Sequence, residues 1–246
     1  MRKSVEKALK NKWKYNDPNG YKLIELFKDD PERFAYQLYT EYCRGLELNT
    51  LRPLLHSQNS IIKKEVVWIL SELGTYGGNA LLTDAIELLD DEDSFVVGYA
   101  LEIVFNCAYG EEYMRIFDAL THKYRNVRAE AMNLFRSCRD LYLRQTLDQL
   151  DPKKFALYYE CISFLLKADT VEKADIINML ENDDPIKRKF AAIMAEKVYD
   201  KYPEIIQNAV FSKDEDIKYY AEVKMQVEKT YNRWSKKKLK RSKKFI

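Results

Sequence analysis

Asn126-Val127-Arg128-Ala129-Glu130-Ala131 sets an apolar residue, Val127, four positions before a small one, Ala131, directly after a polar turn. Residues four apart share one face of an α-helix. The pattern returns as Ile62/Val66, Val96/Ala100, Phe155/Tyr159, Ile186/Phe190 and Ile217/Ala221. Successive second members lie 34, 31, 28, 31 and 31 residues apart. A fixed period of this size is the mark of a repeat architecture.

Inside each unit the spacing is helical. Ile62, Val66, Ile69, Leu70 and Leu73 occupy offsets 0, 4, 7, 8 and 11, and Val96, Ala100, Ile103, Val104 and Cys107 repeat them, a single stripe on a 3.6-residue helix. A second helix is predicted between consecutive units, at 80–89, 111–120, 141–150, 171–180 and 203–211. Asp30-Pro31, Asp151-Pro152 and Asp184-Pro185 each offer an N-cap acceptor followed by proline at the first helical position, and Asn79 and Thr170 are further cap candidates. Only 7 Gly and 6 Pro punctuate the chain, too few for the many tight turns of a sandwich or a βα fold. Residues 1–48, with a basic amphipathic segment from Ser4 to Lys14 and two further helices, suit an N-terminal cap, because a stacked array needs distinct ends.

Asp93-Ser94-Phe95-Val96, Asn126-Val127-Arg128 with Ala131, Asp184-Pro185-Ile186-Lys187 and Asp216-Ile217-Lys218 with Ala221 resemble the D-x-x-V-R-x-x-A signature of HEAT-like repeats, in particular the short bacterial type of phycobilisome-lyase-like proteins. Leu70-Ser71-Glu72-Leu73-Gly74 followed by Leu81-Leu82 is also similar to that repeat. The resemblance covers about residues 50–230 and departs most in the fourth unit, where Phe155 and Tyr159 replace Val and Ala. It implies an all-α chain: an α-solenoid, a right-handed superhelix of about six HEAT-like helix pairs. The expected organisation is a helical cap over 1–48, a solenoid over 49–232 and a basic tail over 233–246.

Enzymatic signatures are scarce. The two histidines, His56 and His122, stand in no ligand spacing and read as structural or surface residues. Their number excludes the iron-binding His-Glu pairs of the HEAT-like deoxyhypusine hydroxylases. Alkylpurine DNA glycosylases are also similar in repeat number and length, and that resemblance implies tryptophans and an acid on the concave face. Trp13, Trp68 and Trp234 form no such cluster here. Cys43, Cys107, Cys138 and Cys161 include no CxxC pair and lie in apolar stretches, so reduced core thiols are expected. No cofactor or metal site is expected, the N-terminus lacks the apolar run of a signal peptide, and the expected compartment is the cytoplasm.

The 246 residues hold 41 Lys plus Arg and 39 Asp plus Glu, and near neutrality is a cancellation. Residues 1–15 carry a net +5, residues 233–246 a net +8, and residues 16–232 a net −11. From Glu65 to Asp118 twelve acids meet one base, Arg115. Asp90, Asp91, Glu92, Asp93, Glu111 and Glu112 form the candidate acidic patch, either a surface for a basic partner or a set of helix-start turns. Arg125, Arg128, Lys237, Lys240 and Arg241 are the candidate nucleic-acid contacts.

With the apolar stripe turned inward, offsets 2, 6, 9 and 13 face the opposite side, which in HEAT-like stacks lines the concave surface. Trp68, Glu102, Phe105, Tyr109, Asn133, Arg136, Phe164, Tyr199 and Tyr219 fall there. Aromatics interleaved with Arg and acids match a protein interface; a folded-back neighbour covering them as core is the alternative. The expected function is a non-enzymatic scaffold or adaptor that binds a basic partner protein, an inhibitor or immunity protein among the kinds of role this admits. The second reading is nucleic-acid binding related to the glycosylases.

Overall fold

The structure, a computed structural model, describes residues 18–242, with side chains for 19–227, 229 and 230. The chain is all-α: fifteen α-helices, short 3-10 turns and no strand among the described residues. It divides between Ala108 and Tyr109 into two compact units, a division that falls inside the single repeat array expected over 49–232.

The first unit contains α1 (Pro18–Asp29), α2 (Pro31–Cys43), α3 (Arg52–Leu55), α4 (Ser60–Glu72), α5 (Gly74–Ala80), α6 (Leu82–Glu87) and α7 (Ser94–Cys107). These stack as helix-pair layers, α1 with α2, α3 with α4, and α5–α6 with α7; α2 packs on α4 and α4 on α7. α1 and α2, which fall within the expected cap region, form the first layer among the described residues. The predicted stripes are the unit's seams: Ile62, Val66, Ile69 and Leu70, then Val96, Ala100, Ile103, Val104 and Cys107, are buried, while Leu73, past the end of α4, is half-buried. Asn59 Oδ1 accepts from the backbone N–H of Ile61 and Ile62, and Asp93 Oδ1 from that of Phe95, so both helix starts are capped as the polar turns require.

Gly74 closes α4 at φ +58°, where a glycine C′ is strongly favoured. Asn79, expected as a cap, instead lies with Gly77 and Gly78 inside α5. Its glycines are tolerated because of close packing. A Cβ on Gly78 would collide with Cys107 Sγ, and one on Gly77 with the Leu73 side chain.

The second unit contains α8 (Arg115–Ala119), α9 (Arg125–Ser137), α10 (Asp140–Gln149), α11 (Ala156–Leu165), α12 (Lys173–Leu180), α13 (Pro185–Lys197), α14 (Pro203–Ala209) and α15 (Glu215–Ser242). Here the register departs from a simple stack. α9 packs against α13 and α15, and α13 also receives α11, α12 and α14. Consequently α13 is buried around most of its circumference: Ile186, Lys189 and every residue from Phe190 to Ala195. Phe117, Phe135 and Phe190 meet at 5.0–6.2 Å between ring centroids, and Tyr158 closes on Phe117 at 4.1 Å.

The fourth unit is where expectation and structure differ. Asp151-Pro152 opens a turn, with Asp151 Oδ1 accepting from Lys153 N, and the helix begins at Ala156. Phe155 stands outside it, Tyr159 is 36% exposed, and Cys161, Ile162 and Leu165 form the buried stripe instead. The expected pair Phe155/Tyr159 is thus out of phase with the buried stripe, because Cys161, Ile162 and Leu165 occupy the inward face of α11. Thr170 likewise yields its expected role to Glu172, which forms a capping box with Asp175 at the start of α12.

Across the inter-helix turns run cation–carboxylate contacts. Arg128 donates Nε and Nη2 to the Asp216 carboxylate (2.8 and 2.7 Å) and Nη1 to the carbonyls of His122 and Lys123. Lys189, 4% exposed, gives Nζ to Leu120 O at 2.7 Å and pairs with Asp216 Oδ2 at 2.9 Å. Arg188 binds Asp214 and the carbonyls of Asn182 and Asp183 in the same manner. In the first unit Lys63 meets Asp91 at 2.6 Å. Burial alone raises the Asp216 pKa, but the hydrogen bonds and charges of Arg128 and Lys189 outweigh it and hold the carboxyl below its ordinary value.

A depressed carboxylate stabilises the fold at pH above its unfolded value near 4, and that contribution is lost as pH falls through the folded value. Asp216→Asn is expected to cost about 3 kcal/mol at pH 7 by leaving buried cations unpaired. The difference from the native chain should shrink below about pH 4. Urea unfolding followed by circular dichroism between pH 7 and 3 checks this, and coincident midpoints at pH 7 would remove the claim.

Candidate functional site

In the first unit, burying the stripes of α4 and α7 turns Lys64, Glu65 and Trp68 of α4, and Tyr99, Glu102 and Phe105 of α7, away from the seams. α2 adds Glu32, Ala35 and Tyr36. Seven of these side chains, Glu32, Ala35, Tyr36, Lys64, Glu65, Trp68 and Tyr99, line a pocket of about 330 Å³. Tyr39 continues the aromatic surface, its ring 6.0 Å from both Tyr36 and Trp68. Trp68 is half-buried and Tyr36 is 70% exposed.

Carboxylates outnumber cations in the pocket lining, Glu32 and Glu65 against Lys64. Glu32 and Glu65 have no ion pair or hydrogen bond to a side-chain cation among the described residues. Lys64, the one cation in the lining, holds its ammonium 5.1 Å from the Phe95 ring centroid. Burial pushes the Glu65 carboxyl up, Lys64 opposes this, and the charge of Glu32 adds to it. Burial also raises the Tyr99 phenol, helped by Glu65, Glu102 and Glu72. Several carboxylates therefore act on one aromatic surface.

In the second unit α9 and α15 flank a groove of about 520 Å³, lined by Asn133, Leu134, Arg136, Glu196, Tyr219, Tyr220, Val223, Lys224 and neighbours. Asn133, Arg136 and Tyr219, chosen from helical offsets, thus meet in space. On its floor the Glu196 carboxylate lies 3.5 Å from Arg136 Nε and 3.4 Å from Lys224 Nζ. The buried Tyr220 hydroxyl has no hydrogen-bond partner among the described residues. Burial, and then Glu196, push that phenol well above its ordinary value.

The other candidates are placed separately. Glu102 is exposed and Phe105 half-buried on α7, while Tyr109 is exposed at the start of the second unit. Phe164 is half-buried on α11, and Tyr199, just past α13, has Lys224 Nζ 5.2 Å from its ring centroid. Of the acidic patch, Asp91 and Asp93 serve the start of α7: Asp91 Oδ1 accepts from Asp93 N at 2.8 Å while its other oxygen binds Lys63. Asp90 and Glu92 are exposed; Glu111 pairs with Lys154, which holds its carboxyl below the ordinary value, and Glu112 is exposed.

Arg128 is engaged by Asp216, as described, and Arg125 donates to Glu215 O and stacks 4.1 Å over the Tyr219 ring. Both guanidiniums are committed within the second unit. Lys237, Lys240 and Arg241 fall on the backbone of α15, which runs without a break across the expected boundary at 232/233 to Ser242; their side chains lie outside the described residues, as does the segment Ser4 to Lys14. His56 Nε2 lies 2.9 Å from the buried Asp84, which Arg52 also binds, and His122 Nδ1 accepts from Tyr124 N. Cys43 is exposed, against the expectation of a core thiol, because it ends α2 beyond the packed stripe; Cys107, Cys138 and Cys161 are buried.

Offset reasoning missed Tyr36, Glu65 and Tyr99. Glu65 and Tyr99 both occupy offset 3, one step from the residues chosen, so a wider stripe would have included them. Tyr36 belongs to the first layer, which carries no repeat register. Glu196 and Lys224 were missed because their meeting depends on α13 and α15 packing together.

Because the Glu65 pKa is raised on folding, its ionisation opposes stability at neutral pH, and that cost vanishes below its unfolded value. Glu65→Gln is therefore expected to raise the urea midpoint at pH 7 and to lose this advantage as pH approaches 4. A lower midpoint at pH 7 would contradict the sign.

No family model matches the chain, and no curated protein matches it. Among solved structures, an engineered protein from structural genomics is similar at 16% identity, with 84% of this chain and 94% of that one covered and a TM-score of 0.42. A second engineered protein is 18% identical over 72% of this chain and 96% of its own, at a TM-score of 0.36. A designed armadillo repeat protein is 13% identical over 72% and 97%, at a TM-score of 0.35.

Proposed function

We propose that this is a non-enzymatic HEAT-like scaffold or adaptor that binds a partner protein bearing a basic surface. The observation that carries the reading is the face of α2, α4 and α7. There Tyr36, Trp68 and Tyr99 line one pocket with Glu32 and Glu65, and Glu72 and Glu102 add negative potential at Tyr99. Aromatics provide contact area at low entropy cost, and carboxylates steer an oppositely charged surface and set its register. The raised Glu65 carboxyl agrees with a group kept at some cost to stability, as binding surfaces are. Occlusion of a partner's own active surface, the action of an inhibitor or immunity protein, is the finer form of this proposal.

The experiment compares pull-downs from the native host with the native chain and with Glu65→Lys/Glu102→Lys. A protein of basic surface is expected with the former, falling at least about tenfold in recovery with the latter. Equal recovery by both would sink the reading. A second reading has one supporting observation: the stretch from Arg233 to Arg241, rich in Lys and Arg, lies on the continuous backbone of α15. Generic duplex DNA binding that weakens steeply with salt and disappears on deleting 233–246 is its expected signature; salt-insensitive binding or none counts against it.

A further inference from the structure

The pocket between α2, α4 and α7 has a chemistry narrower than attraction to a basic surface. Three successive layers each contribute an aromatic residue: Tyr36, Trp68 and Tyr99. Among the described residues no cation forms an ion pair with the two carboxylates of the same lining, Glu32 and Glu65; the ammonium of Lys64, whose charge reaches Glu65, rests 5.1 Å from the Phe95 ring centroid. An anionic ligand would be repelled, and a neutral apolar one would leave both carboxylates without compensation.

Among cations, a guanidinium matches both parts of the wall. It is planar and weakly hydrated, so it stacks on an aromatic face while its edge donates two parallel N–H groups to a carboxylate. A lysine ammonium is a compact, strongly hydrated charge, and a quaternary ammonium has no N–H for Glu65. Resting on the reading of a protein scaffold for a basic partner, we propose that this pocket receives one arginine side chain of that partner, stacked on the wall of Tyr36, Trp68 and Tyr99 and paired with Glu65 and Glu32. The pocket is thereby a specificity element: it distinguishes an arginine at one position from general positive charge.

The test uses the full chain carrying Trp13→Phe and Trp234→Phe, so that Trp68 is the only tryptophan and reports on the pocket through its emission. N-acetyl-arginine methylamide is titrated alongside its lysine and citrulline counterparts, citrulline having nearly the shape of arginine without the charge. A saturable change with arginine is expected, with none from citrulline and at least about fivefold weaker binding of lysine. Glu65→Gln is expected to weaken the arginine response about tenfold and Tyr36→Ala about fivefold. Both side chains lie outside the buried core, and an unchanged far-ultraviolet circular dichroism spectrum verifies that each variant folds.

No saturation by arginine, an equal response to citrulline or lysine, or an arginine response untouched by both substitutions would overturn the assignment. The two readings fail separately. Charge-dependent capture of a basic protein without any arginine response leaves the scaffold and removes the pocket; an arginine response that Glu65→Gln weakens, without such capture, removes the scaffold and leaves the pocket.

Discussion

Taking the Lys189 ammonium out of water obliges the second unit to bring a carboxylate and a carbonyl to it. Asp216 and Leu120 O do so, and Arg128 completes the same carboxylate from α9. An unpaired ammonium at that depth would cost several kcal/mol, so α9, α13 and α15 are tied to one arrangement. That arrangement lets α9 lie on α13 and α15, and it surrounds α13 with neighbours until most of it is core. The groove between α9 and α15, with Glu196 on its floor, is a consequence of the same packing.

The first unit is governed by a simpler constraint. A single helix pair cannot cover its own apolar stripe, so each layer is completed by the next. Once α2, α4 and α7 are aligned, the residues opposite the seams are brought together irrespective of their charge. Glu32, Glu65, Glu72 and Glu102 thus share one side with Tyr36, Trp68 and Tyr99. At Glu65, burial and the charge of Glu32 work against folding, so this carboxylate is kept at some cost to stability.

The acidic patch shows how one charge pattern divides by geometry. Asp91 and Asp93 are consumed by backbone N–H groups at the start of α7 and by Lys63, whereas Asp90 and Glu92 remain on the surface. Arg125 and Arg128 illustrate the converse. They looked like a basic exposed cluster, yet one stacks on Tyr219 and the other closes on Asp216, because residues about 90 positions away fold back onto them.

From the order of residues alone, the all-α class, the period of about 31 residues and the buried stripes of the first two repeats follow, because each depends on contacts three, four and seven residues apart within a helix. The same local logic located the cap at Asp184 and set Trp68, Asn133, Arg136 and Tyr219 opposite their own stripes. It failed at Phe155 and Tyr159, where two aromatic residues imitate the pattern but Cys161, Ile162 and Leu165 pack better. Tertiary structure alone decided that the chain forms two units, that α13 is enclosed, and that Tyr36, Glu65 and Tyr99 share a pocket. Those outcomes depend on pairs of residues from about 30 to about 90 positions apart, and no helical period encodes which distant layer will supply the missing charge or close the exposed face.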